Sequence, residues 1–325
     1  MYLDNKLVFL AGSTGLGGSS IIEHIINNYP TVEIRASYKH TKPFIEHERI
    51  EYIYGDLKSK EDCRKMARGC DCAIIAAVYT GGSKMTISAP FEYVSDNLIM
   101  NVQMLEAFYL EGVKRVVSIG TAVEYQEFEG DIKEDELDWN KDPHLQYFGI
   151  GWTKRFIEKL GEFCHLRYGL EVINVRLANI FGPYAKFDPQ TSNFIPAIIR
   201  KAVDKMEPFE VWGSPDVVRD VLYSEDFARA IVMMCNDDKI KFDTFNIGSG
   251  VKTTVGDVVE WTLKYANHKP ENINYLTDAP TTNKFRALDC LKAKEVFGWQ
   301  PQYTIEEGIK KTTQWWIANK KWWKK

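Results

Sequence analysis

The feature that most constrains this chain is the run Gly12-Ser13-Thr14-Gly15-Leu16-Gly17-Gly18 near its start. Leu7-Val8-Phe9-Leu10-Ala11 precedes it, and a stretch with Ile21, Ile22, Ile25 and Ile26 follows it. The short apolar run reads as a buried strand, and the isoleucine spacing places one apolar stripe on a helix. Glycines between the two let the chain turn tightly and let backbone N–H groups approach an anion at the positive end of the helix. A glycine string alone is a weak signal. Set between a strand and a helix, inside a strand–helix–strand unit of roughly 30 residues, it predicts a dinucleotide pyrophosphate site. The candidate contacts are Gly12, Thr14, Gly15, Leu16 and Gly18.

The pattern then repeats. Val32 to Ala36, Ile50 to Tyr54, Cys72 to Ala77, Arg115 to Ile119 and Leu170 to Leu177 read as strands with helical stretches between them. That alternation predicts an α/β fold with a Rossmann-type doubly wound parallel sheet. After Phe181-Gly182-Pro183 the alternation breaks into a Pro- and aromatic-rich region. A chain of 325 residues, 45% hydrophobic, exceeds what one core usually serves. We therefore expect residues 1–181 plus about 220–245 to form the dinucleotide-binding domain. Residues from about 182–219 plus 246–325 would form a smaller C-terminal α/β substrate lobe.

Charge and composition narrow the partners. A net charge of −4 without a long basic run argues against nucleic acid or an anionic membrane. The opening residues lack the order of a signal peptide, and no apolar run reaches the roughly 18 residues needed to span a bilayer, so a cytoplasmic protein is expected. The six cysteines show neither a Cys-x-x-Cys pair nor a histidine at metal-ligand spacing, so reduced thiols and no metal are expected. The Lys/Trp-rich C-terminal stretch reads as a helix laying its aromatic side on the protein body.

An acid at the end of the second strand would hold the adenosine ribose and favour NAD. Arg35-Ala36-Ser37-Tyr38-Lys39-His40 offers none and is basic, which leans toward NADP through Lys39, with NAD left open. Asp56 and Leu57, after the third strand, are candidates for contacting the adenine, a turn-capping aspartate being the simpler alternative.

Further blocks follow in order: Ala76-Ala77 with Gly81-Gly82, Asp96-Asn97, Gly120-Thr121 with Tyr125, Asn179-Ile180-Phe181-Gly182-Pro183, Asn193-Phe194-Ile195-Pro196-Ala197, Val211-Trp212-Gly213-Ser214, Arg219-Asp220, Asn246 to Gly250, and Leu288-Asp289. On these blocks the chain resembles the extended short-chain dehydrogenase/reductase (NAD-dependent epimerase/dehydratase) family. Within that family it resembles most the GDP-L-fucose synthase and GDP-sugar 4-reductase branch. The resemblance implies a nucleotide-sugar substrate, cofactor contacts from Ala76 and Ala77, and a homodimer seamed by the stretches Pro90 to Gly112 and Tyr147 to Tyr168. It also implies a catalytic Ser or Thr after the fifth strand and a Tyr-x-x-x-Lys pair, whose lysine lowers the phenol pKa from the same helical face and holds the nicotinamide ribose.

Thr121 and Lys154 match those positions, but the place of the tyrosine is taken by Ile150, which can neither donate nor accept a proton. Three readings stay open: a natural enzyme using another group, a replaced residue in an ordinary family member, or a silent binding protein. Tyr147, Tyr79 and Tyr125 are other phenols, each with packing as its plainer role. Where the family's epimerising Cys and His stand, this chain has Val123 and Asn193, and where its dehydratases place Asp-Glu, Ala122-Val123. Glu124 comes one place later and would point away if the backbone were extended. What survives is hydride exchange at one carbon of a nucleotide sugar, which the resemblance implies is C4, assisted by Thr121 and an ordered water, with a 4-epimerase as runner-up. By resemblance the substrate residues are Tyr79, Thr121, Asn179, Asn193, Lys201, Trp212, Arg219 and Arg286. The arginines suit a diphosphate because a guanidinium donates two parallel hydrogen bonds.

Overall fold

The computed structural model of the chain describes residues 2–80, 88, 91–277 and 286–323. Seven strands form one parallel sheet: β1 (Leu7–Ala11), β2 (Glu33–Tyr38), β3 (Ile50–Tyr54), β4 (Cys72–Ile75), β5 (Arg115–Ile119), β7 (Glu171–Leu177) and β12 (Phe242–Ile247). The short strand β6 (Gly130–Ile132) lies outside it. Their spatial order is β12-β7-β5-β4-β1-β2-β3. β1 lies between β2 and β4, with Leu7 opposite Glu33 and Val8 opposite Cys72. The winding reverses there, so a crevice opens beyond the carboxyl ends of β1 and β4.

The central strands β1 and β4 are apolar on both faces because helices cover both. Alternate residues of β1 sort accordingly. Val8 and Leu10 enter one core with Ile21, Ile22 and Ile25 of α1 (Leu16–Asn28) and Ile231 of α6 (Ser224–Asn236). Phe9 and Ala11 enter the other, with Met66 of α2 (Lys60–Ala67) and Leu105 and Phe108 of α3 (Phe91–Glu111). Third on that side is α4 (Phe148–Tyr168), packed against α3. β4 ends at Ile75, two residues short of the sequence expectation, with Ala76 N–H making the last bond to β1, at the carbonyl of Ala11.

Beyond the sheet lie α5 (Phe194–Val203), β9 (Phe209–Trp212) paired with β14 (Ile273–Leu276), α7 (Val255–Tyr265) and α9 (Ile305–Trp323). They enclose two further cores, one around Phe181, Phe187, Ile309 and Trp316, the other around Ile198, Phe209 and Val259. Trp316 is fully buried and stacks on Phe187 at 4.1 Å between ring centres, so α9 does turn an aromatic side inward. Short strands link the two regions: β8 (Asn179–Phe181) with β11 (Val221–Tyr223), β10 (Val218–Arg219) with β13 (Thr253–Thr254), and β6 with β15 (Arg286–Leu288). Asp220, at the junction of β10 and β11, is buried. It accepts hydrogen bonds from Ser249 N–H, Ser249 O–H and Leu288 N–H, tying three segments together. Among the described residues no helix is long and apolar enough to cross a membrane, and all six cysteines are unpaired thiols.

Candidate active site

The glycine turn sits at the crevice. Gly12 has φ +81, and an added Cβ would lie 2.7 Å from Ala77 N and Cα, so only glycine lets the turn pass beneath the end of β4. At Gly18 a Cβ would lie 2.2 Å from the Gly12 carbonyl oxygen and 2.7 Å from Ser13 Cα. Gly15 differs: it caps α1 at φ −85, and its nearest neighbour would be 3.6 Å away. The fold does not need glycine there. Its bare, exposed backbone at the head of α1 leaves open the space an anion at the helix N-terminus would fill, which fits a dinucleotide pyrophosphate. Thr14 and Leu16 flank it, both half-buried. Ser13 Oγ donates to the Ser37 carbonyl at 2.8 Å and locks the turn to the end of β2.

At that end the basic segment divides. Arg35 turns away to Glu51 and to the carbonyls of Met66 and Arg68. Lys39 Nζ lies 2.6 Å from Asp56 Oδ2. Burial pushes the Asp56 carboxyl up, but Lys39 and Lys58 outweigh it and hold it below the ordinary range. The acid missing from the second strand in sequence is thus supplied in space by the segment after the third. Leu57 is buried beside it and joins the core. Ala77, also buried, leads into Tyr79, whose backbone is clamped by fully buried Asn97 of α3. Asn97 Oδ1 accepts from Tyr79 N–H and its Nδ2 donates to the Tyr79 carbonyl, both at 2.9 Å. Gly81-Gly82 lie outside the described residues.

Thr121 follows β5 and is half-buried. Glu124 does not lie on extended backbone, as the sequence reading supposed. Residues Ala122–Glu124 form a single 3-10 turn, with Thr121 as its cap and Glu124 folded back to accept the Thr121 N–H at 2.7 Å. A short polar capping residue three places before a glutamate favours this local closure over an extended run. Ile150 is the third residue of α4, and Lys154 lies one turn further along. Both side chains are about 5% exposed, and Lys154 Nζ donates to the Ile119 carbonyl at 2.9 Å. Burial pulls the Lys154 pKa down while Glu124 pushes it up, with the net result lowered.

Tyr125 is not in a cleft. It is fully buried, with its hydroxyl donating to Asn246 Oδ1 at 2.7 Å and accepting from Arg176 at 3.0 Å. Arg176 also pairs with Glu158 at 2.7 Å. Sequence reasoning missed this network of Glu124, Tyr125, Glu158, Arg176 and Asn246. The available signal was a charged residue inside the apolar run of β7, since an arginine buried in a parallel strand requires buried partners.

The substrate candidates spread across both regions. Asn179 starts β8, Asn193 precedes α5 without a side-chain capping bond, and both are exposed. Trp212 ends β9 half in solvent, at 49% exposure. Lys201 Nζ donates to the Glu210 carbonyl at 2.7 Å, which brings it beside β9. Burial pulls the Arg219 guanidinium below its usual range, opposed by the Tyr147 phenol; Arg219 and Tyr147 therefore lie within electrostatic reach of each other. Tyr79 is 42% exposed. The backbone of Arg286, in β15, pairs with Gly130 of β6, while its side chain lies outside the described part. Lys186 bridges the regions by donating to the Thr80 carbonyl at 3.0 Å, a contact the sequence did not suggest.

Residues 8–248 match the profile of the NAD dependent epimerase/dehydratase family. The GDP-L-fucose synthase of Sinorhizobium fredii is 26% identical over 326 residues, covering 98% of each chain. The dTDP-glucose 4,6-dehydratase 1 of Escherichia coli is 25% identical over 346 residues, covering 97% of this chain and 94% of that one. Among solved structures, the UDP-glucose 4-epimerase of Thermotoga maritima with UDP-glucose superposes with a TM-score of 0.83 at 21% identity, covering 96% of this chain and 99% of that one. The GDP-L-fucose synthetase of Naegleria fowleri bound to NADP gives 0.79 at 20% identity, covering 98% and 96%.

Proposed function

The chain belongs to the NAD dependent epimerase/dehydratase family, and from that premise we propose that it is an NAD(P)-dependent oxidoreductase exchanging hydride at C4 of a nucleotide-activated sugar, a GDP-sugar. One observation carries the reading. The uncrowded, exposed backbone of Gly15 stands at the switch point of the sheet, and Thr121 and Lys154 stand at the end of the neighbouring strand β5. In the proposed complex the dinucleotide lies along Gly12, Thr14, Gly15, Leu16 and Gly18, with Lys39, Asp56 and Leu57 at its adenosine end and Ala76, Ala77 and Lys154 toward its nicotinamide. When bound it supplies the hydride acceptor or donor.

The chain's own residues do the rest. The Thr121 hydroxyl orients the sugar oxygen. Ile150 cannot move a proton, so an ordered water beside Thr121 takes that part. Arg219, with Asn179, Asn193, Lys201, Trp212, Tyr79 and Arg286, holds the sugar nucleotide, the guanidinium of Arg219 suiting its diphosphate. Val123 and Asn193 cannot exchange protons at carbon, and Ala122-Val123 cannot remove a hydroxyl. The proposal therefore excludes C3/C5 epimerisation and dehydration. The relative named as a GDP-L-fucose synthase supports a GDP-sugar. Lys39 supports NADP, provided a 2′-phosphate displaces its contact with Asp56.

The proposal places the protein in the cytosol as a homodimer joined through α3 and α4, which pack together and leave Phe156, Phe163, Leu166 and Tyr109 exposed. Single-turnover absorbance at the reduced-nicotinamide band, with GDP-, UDP-, CDP- and dTDP-sugars, tests the function. A change with one sugar supports it, and its sign gives the direction. No change with any sugar, together with tight binding of dinucleotide and sugar nucleotide, would establish a silent binding protein.

A further inference from the structure

Behind Thr121 the protein buries a carboxyl that the chemistry above does not use. Glu124 is 1% exposed. Its Oε1 accepts the Thr121 N–H, while its Oε2 has no hydrogen-bond partner. Arg176 comes no nearer than 4.0 Å and is already committed to Glu158, with two contacts at 2.7 and 3.1 Å, and to the Glu134 carbonyl. A carboxylate left this way would be a poorly matched buried charge.

One more cation is in reach. Lys154 is buried with a single hydrogen bond, to the Ile119 carbonyl, although an ammonium has three donors. Between Glu124 and Lys154 lies a cavity of about 10 Å³, also lined by Glu158, Asn174 and Ser118. That is about the smallest space that admits one water, in a setting with enough polar groups to hold it.

We propose that Glu124 is a positioning residue that shares one proton with Lys154 across this cavity, keeping a proton source behind Thr121 where the chain has no phenol at position 150. The proposal rests on the hydride-exchange reading. In ketone reduction the carbonyl carbon gains hydride with its electron pair, and the oxygen gains a proton drawn from the pair. The dinucleotide is left oxidised, and solvent returns the proton to the pair. Oxidation runs each transfer backwards.

The charged and titratable groups facing Glu124 are Glu158, Lys154 and Arg155 from α4, Arg176 from β7 and Tyr125 of its own segment. Burial and the neighbouring Glu158 push the Glu124 carboxyl up to about 8, against the pull of Arg176 and Lys154. Burial moves Lys154 the opposite way. The two groups therefore approach each other in proton affinity, which is the condition for sharing a proton.

The test is a titration of the full-length protein carrying glutamate labelled with ¹³C at Cδ, without ligands. The expected result is one carboxyl resonance, absent from Glu124→Gln, titrating about two units or more above ordinary glutamate, with its midpoint moving up in Lys154→Met. A Glu124 signal that titrates with the surface glutamates overturns the proposal, as does a midpoint unmoved in Lys154→Met. If Glu124→Gln does not fold, the single high-titrating resonance and its response to Lys154→Met still decide. In turnover, Glu124→Gln is expected to shift the pH midpoint of single-turnover hydride transfer while dinucleotide affinity stays within about twofold. A pH profile superposable on the native one overturns the proposal. Absence of turnover with every sugar defeats the hydride-exchange reading alone, because the ligand-free titration reports on the pair independently.

Discussion

Two glycines in one turn are expected to fail in different ways when given a methyl group. At Gly18 the new carbon would stand 2.2 Å from the Gly12 carbonyl oxygen and 2.7 Å from Ser13 Cα. Both neighbours are backbone, and the Gly12 backbone is itself pressed against Ala77, so the head of α1 has to shift. Overpacking of this kind costs about 1–3 kcal/mol, and with backbone on both sides the upper end applies. At Gly15 the nearest atom is 3.6 Å away and φ is −85, which alanine adopts freely. Reduced freedom of the unfolded chain contributes about 0.4–1 kcal/mol, and the poorer helix cap takes back about as much. Gly15→Ala should therefore match the native denaturation midpoint to within about 1 kcal/mol. Its methyl nevertheless occupies the approach to the helix N-terminus, so the dissociation constant for a reduced dinucleotide should rise about tenfold or more, a loss of about 1.4 kcal/mol. Denaturant melts and fluorescence titration read the two quantities separately. Native affinity in Gly15→Ala would refute the placement of the pyrophosphate, and a native midpoint in Gly18→Ala would refute the packing argument.

Ile150→Tyr should cost about 1–3 kcal/mol, because a larger ring enters a buried position. It should also raise single-turnover hydride transfer by about 10²–10⁴, the usual contribution of a placed proton donor; an unchanged rate in a folded, dinucleotide-binding variant counts against the proposed chemistry. Arg219→Lys keeps the charge but loses the planar fork, so calorimetry should show sugar-nucleotide binding weakened about tenfold with dinucleotide binding unchanged. Leu166 is 77% exposed on α4, so Leu166→Glu should leave the fold intact and yield a monomer in sedimentation; a retained dimer places the seam elsewhere. The Glu124 carboxyl is raised from 4.5 to about 8 in the folded state, so its stabilising contribution is complete below about pH 4.5 and is lost as pH rises toward 8. The stability of Glu124→Gln relative to the native protein should therefore grow over that window, and parallel melts across pH would show it.

The sheet was readable because six of its strands are short apolar or alternating runs, mostly separated by helical stretches, and such runs in a βαβ series have few places to go. The seventh, β12, was harder, since Phe242-Asp243-Thr244 carries its polar residues at the sheet edge. Gly12 and Gly18 were recognisable as a motif, but which glycine serves the fold and which leaves room for a ligand depends on Ala77 and Ser13, brought there by the sheet. Thr121, Ile150 and Lys154 were located by the family resemblance, which supplies the Ser/Thr position after the fifth strand and the Tyr-x-x-x-Lys spacing on the next helix.

Glu124 could not be placed in that way. Read as part of an extended strand end it pointed outward, whereas a local capping turn folds it into the interior, where its surroundings come from α4 and β7. Local chemistry and periodicity act over a few residues, so the sequence by itself determined the strands, the helices, the glycine turn and the absence of a phenol at position 150. Tertiary structure alone decided the Lys39–Asp56 pairing, the Asn97 clamp on Tyr79 and the buried charges behind Thr121. Burial and electrostatics depend on what the whole fold brings within a few ångströms, and neighbours distant in sequence leave no periodic trace along the chain.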